Sequence, residues 1–123
     1  MKINISIDDV TPHPHSSTAC LQHCHRLISE FPEIKFTLFV PTAYWRTMHA
    51  PTQSVCEKPL FISQFKEFCD ELRALPEDNF ELAFHGHYHG IPGQSNNDEF
   101  HGVSYMHAFS RMSPMMEEAR LAD

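Results

Sequence analysis

The spacing of apolar positions changes several times along the chain, and each change marks an element. From Lys2 to Asp8 isoleucine fills every second place, Lys-Ile-Asn-Ile-Ser-Ile-Asp. Alternating β-branched residues predict a strand. Val10 to His15, with prolines at 12 and 14, predicts an extended loop open to solvent, its two histidines near the mouth of any site. Ser16 or Ser17 then suits a helix N-cap, and Cys20, Cys24, Leu27, Ile28 and Phe31 recur at helical spacing until Pro32. Lys35 to Val40 is nearly continuous in apolar residues, which predicts a second strand buried on both faces and ended by Pro41. Ala43 to Met48 predicts a short helical turn carrying Tyr44, Trp45 and Arg46, and His49 to Pro59 a loop. Ser63 is the expected cap of a further helix. Its stripe is Phe65, Phe68, Cys69, Leu72 and Leu75, its wet face Glu67, Asp70, Glu71 and Arg73, and its end Pro76. Phe80 to Phe84 predicts a third strand. Ile91 to Gly102 predicts an irregular loop, and Tyr105, Met106, Phe109 and Met112 another helix, kinked or restarted at Ser113-Pro114.

Strands separated by helices imply a parallel sheet, because neighbouring parallel strands need a crossover between them. The expected class is therefore α/β, built of parallel βα units. At 123 residues the chain is expected to be a single domain with a small ordinary core. A formal charge of −7 and the lack of any basic-aromatic patch argue against nucleic acid as a partner. No apolar run is long enough to span a bilayer, and Met1-Lys2-Ile3 enters a strand pattern directly, so a cytoplasmic protein without membrane contact is expected. The cysteines at 20, 24, 56 and 69 form no Cys-x-x-Cys pair. Cys20 and Cys24 share a helix face with His23 and His25 nearby, but small buried residues in a reducing compartment are the expectation.

The densest chemistry lies in Phe84-His85-Gly86-His87-Tyr88-His89-Gly90, directly after the third predicted strand. Histidines at alternate positions, with glycines that let the backbone fold round an ion, form a metal-site pattern that needs a carboxylate from elsewhere. Asp8-Asp9 supplies one at the end of the first strand. Parallel sheets bind ligands beyond the C-terminal ends of their strands, and Asp8, Asp9, Trp45 and His85 all fall there.

Ile7-Asp8-Asp9, the aromatic strand Phe36-Thr37-Leu38-Phe39-Val40 and His85-Gly86-His87-Tyr88-His89 together resemble the polysaccharide deacetylase (NodB-homology) superfamily, in a divergent branch. The resemblance implies the first part of an irregular (β/α) barrel. It further implies Asp8 as catalytic base, and Asp9, His85 and His89 as ligands of a divalent metal, zinc first, with iron, cobalt or nickel as alternatives. The implied activity is metal-dependent hydrolysis of a C–N amide bond in an N-acetylated carbohydrate or related small amide. The sequence departs from the family pattern at three points. Gly86 stands where the family has Ser or Thr, His87 is additional, and the family's later arginine and acid histidine are not recognisable; Arg111 lies in a helical pattern and is not assigned. The chain thus matches an incomplete N-terminal portion of such a barrel, which implies a possible homo-oligomer, and the alternative function is a non-catalytic metal-binding fragment. A 2-His-1-carboxylate oxygenase is disfavoured because such sites sit on antiparallel sheets.

Overall fold

The fold is centred on the strand Lys35–Val40 (β2), which has a parallel partner on each side. In the computed structural model, which describes residues 3–46, 56–86 and Glu118, β2 lies between Asn4–Ile7 (β1) and Phe80–Phe84 (β5) in the order β1-β2-β5. The register pairs Ile5 with Phe36 and Ile7 with Leu38 on one side, and Phe36 with Phe80 and Leu38 with Leu82 on the other. The crossovers carry helices Leu21–Glu30 (α1) and Lys66–Arg73 (α2). This is a mixed α/β architecture with a three-stranded parallel sheet, as the alternation of patterns requires.

Alternation along β2 separates the two faces of the sheet. Phe36, Leu38 and Val40 join Val10, Leu21, Cys24, Ile62, Phe68, Cys69 and Leu72 in one buried cluster, so both helices cover the same face. Phe36 stacks on Phe80 with ring centroids 5.3 Å apart. Each such side chain, fully buried, contributes about 1.5–3 kcal/mol. The opposite face is polar near its lower end, where Asn4 Nδ2 donates to Thr37 Oγ1 at 3.3 Å. At the outer edge of the covered face, Leu82 and Phe84 are each 50% exposed.

Several local expectations change. The segment before α1 forms two 3-10 turns, Pro14–Ser16 and Thr18–Cys20, and Ser17 Oγ caps the second by accepting from the Ala19 amide. The buried stripe of α1 is Leu21 and Cys24, whereas Leu27 is 36% and Phe31 58% exposed. Ser63 does not cap α2; it lies in the 3-10 turn Ile62–Gln64, and its amide and hydroxyl both donate to Glu118 Oε1. The predicted helical turn is instead a strand, Ala43–Tyr44 (β3), paired antiparallel with Leu60–Phe61 (β4). Its cause is a partner distant in sequence, which local periodicity cannot show. The wet face of α2, the Phe68, Cys69 and Leu72 part of its stripe and the bounds of β2 and β5 match expectation, whereas Phe65 and Leu75 lie outside the helix and are half-buried. The predicted loop 91–102 and the helical pattern predicted from 104 to 123 lie, Glu118 apart, outside the described residues. No helix among the described residues is long and apolar enough to cross a membrane.

Candidate functional site

The chain leaves β1 through Asp8 and Asp9 and is at once tied back, because the Val10 amide donates to the Phe39 carbonyl at 3.1 Å. Making that turn within two residues puts Asp9 at φ 58°, in the left-handed region. For an L-residue with a Cβ this costs about 1–2 kcal/mol, least for Asp and Asn, whose short polar side chains bond locally. A backbone held in this way is a frequent mark of a functional position. On the other side of β2, the His85 amide donates to the Val40 carbonyl at 3.1 Å, and buried Gly86 turns the chain at φ 69°. The Gly86 carbonyl accepts from the Thr42 amide at 3.3 Å.

These two turns bring Asp9 and His85 together across the end of β2. Asp9 Oδ1 lies 3.1 Å from His85 Nε2, with the side chains 32% and 24% exposed respectively. Phe39, on the same face of β2, meets the imidazole edge-on with centroids 5.7 Å apart and limits its rotation. Asp8 is exposed beside the pair and lines a shallow cleft with Asp9, Pro14, His15 and Cys20. Asp8, Asp9 and His85 therefore lie in one region, as the strand-end argument requires. His87 and His89 fall outside the described residues, and no group of three or more potential ligands is assembled among those that are described. Trp45 is half-buried and its indole N–H donates to the Cys56 carbonyl at 3.2 Å, which ties down the segment before β4.

The donor chemistry of the pair suits a divalent ion. Two N/O ligands each about 2.0–2.1 Å from a tetrahedral ion stand about 3.3 Å apart, close to the 3.1 Å observed. A direct hydrogen bond between carboxylate and imidazolium has a similar length.

The sequence missed a second group. His13, expected in solvent, is buried at 5% exposure. Its amide donates to Thr11 Oγ1, and its Nδ1 accepts from the His15 amide at 3.2 Å, which places the proton of the neutral ring on Nε2. Burial first, then the positive charge of Arg46 and of His15, push its pKa down. The ring lies 6.0 Å from that of Tyr44, whose hydroxyl accepts from Arg46 Nη1 at 3.1 Å. The available signal was Tyr-x-Arg at strand spacing, which sends both side chains to one side; assigning that segment as helix concealed it. Cys20, Cys24, Cys56 and Cys69 are free cysteines, and burial raises the thiol pKa of Cys20, Cys24 and Cys69.

No protein-family model, curated protein or solved structure matches this chain.

Proposed function

We propose that this chain is a metal-dependent hydrolase of C–N amide bonds, of deacetylase type, acting on an N-acetylated carbohydrate or related small amide. The supporting observation is the Asp9–His85 pair, 3.1 Å apart at the C-terminal ends of parallel strands and held by two left-handed turns. The three strands of the parallel sheet would then be βα units of an irregular barrel. Asp9 and His85, with His89, would hold a divalent ion, zinc first, with iron, cobalt or nickel as alternatives. Such an ion, when bound, supplies Lewis-acid polarisation of an amide carbonyl and acidifies water. Asp8, exposed beside the pair, takes the proton of the attacking water on its carboxylate. Phe39 keeps the His85 ring in the orientation that aims Nε2 at Asp9.

The test measures zinc affinity by competition with a chromophoric chelator, together with amine release from N-acetylated sugar oligomers. His85→Ala should weaken zinc by more than about 100-fold, since even outer-shell changes cost about 10–100-fold. Asp8→Asn should leave zinc affinity unchanged and abolish amine release. Wild-type zinc binding without amine release would favour the non-catalytic metal-binding alternative. Unchanged zinc affinity in His85→Ala would remove the site.

A further inference from the structure

We infer that Arg46 forms a binding site for an oxyanion, a carboxylate or phosphate group on the ligand, near the Asp9–His85 pair but chemically separate from it. Arg46 is only 9% exposed. Its Nη1 donates to a neutral phenol, Tyr44, at 3.1 Å, and its buried Nε has no hydrogen-bond partner. No carboxylate forms an ion pair with it among the described residues. The neighbouring imidazole, His13, is favoured in its neutral form. Among the described residues the groups shown against the guanidinium, the Tyr44 phenol and the His13 imidazole, carry no negative charge, in a chain with 16 acidic and 9 basic residues.

A buried charge without a counter-charge costs several kcal/mol, and an arginine cannot escape that cost by losing its proton. The plain reading is a packing residue braced by Tyr44. That reading leaves the Nε donor unsatisfied, whereas buried polar groups are rarely left so without a role. A guanidinium offers parallel N–H donors that match a carboxylate or phosphate, and this arrangement lacks only the acceptor. Nε is buried from water, so binding requires a shift of the guanidinium toward the ligand. The location is tied to the candidate site from two directions. Thr42, just before β3, is bonded to Gly86, and His13, whose ring faces Tyr44, follows Asp9 closely in the chain.

The experiment uses the full chain with chelator present, so that no metal ion holds the anion, and with ionic strength fixed by chloride. Thermal unfolding and titration calorimetry are followed with inorganic phosphate, acetate, N-acetylglucosamine 6-phosphate and neutral N-acetylglucosamine. Wild type should respond saturably to at least one of the anions and not to the neutral sugar. Arg46→Met should weaken that response about thirtyfold or more, and Arg46→Lys by less. Without anion, Arg46→Met should unfold no earlier than wild type, because an apolar side chain replaces an uncompensated charge. Tighter binding of the sugar phosphate than of free phosphate would show that the anion belongs to an organic ligand; equal binding would show that the free ion suffices. Retention of the response in His85→Ala would keep this site distinct from failure of the proposed metal centre. Equal responses in wild type and Arg46→Lys and Arg46→Met, or no saturable response in wild type, would overturn the inference. Should Arg46→Met not fold, wild type and Arg46→Lys decide.

Discussion

Asp9 and Gly86 both hold positive φ, at 58° and 69°, and both lie where the chain turns off a strand end into the candidate site. Only the glycine is free of a Cβ penalty, so Asp9 holds its conformation because Val10 is anchored to Phe39 directly after it. His13 carries the clearest pH consequence at this scale. Burial, then Arg46 and His15, hold its pKa below the ordinary value of 6.5. The unfolded chain therefore takes up a proton near pH 6.5 that the folded ring still refuses. The stability due to neutral His13 is fully present above that pH and is lost as the pH falls from 6.5 toward the lower folded value. One proton gives a slope of at most about 1.4 kcal/mol per pH unit. The melting temperature should fall below pH 6.5 in wild type and fall less in His13→Asn, whose side-chain oxygen still accepts from the His15 amide. Identical acid profiles would mean that His13 is not the group responsible.

At the scale of elements, the entries to β2 and β5 are fastened by one side chain. Buried Asn79 donates through Nδ2 to the carbonyls of Pro32 at 2.9 Å and Ile34 at 3.0 Å, while its backbone carbonyl accepts from the Phe36 amide at 2.8 Å. Asn79→Ala removes both side-chain bonds and leaves the Ile34 side of that contact without its donor. The expected loss is about 1–3 kcal/mol, read from the urea midpoint at unchanged m-value. A change below a few tenths of a kcal/mol would show that water replaces the amide. Strands β2 and β5 and helix α2 were legible because each carries its own period: a continuous apolar run, or a Phe68-Cys69-Leu72 stripe. Strand β3 was not, since a two-residue strand has no period and exists through its pairing with Leu60–Phe61. Ser63 shows the same limit: its sequence position suits a cap, but its hydroxyl is engaged by Glu118.

At the scale of the molecule, β2 is the only strand of the parallel sheet with neighbours on both sides among the described residues, and Phe36 and Leu38 are 1% and 0% exposed. Amides of β2 should therefore exchange with solvent slowest, near the rate of global unfolding. Outward-facing amides of β1 and β5 should exchange sooner by local opening. Hydrogen exchange followed by mass spectrometry checks this order. Equal protection of β5 would mean that its edge, with Leu82 and Phe84, is covered in solution. By itself the sequence determined the α/β class, the parallel arrangement, the three main strands, and the fall of Asp8, Asp9 and His85 at strand ends. Those follow from local periodicity and from the crossover that parallel strands require. Only the tertiary structure decided that Asp9 turns through a left-handed conformation to meet His85. It alone buried His13 and left Arg46 buried without a counter-charge among the described residues. Burial and charge pairing arise between segments distant in the chain, and no local pattern encodes which residue will lie against which.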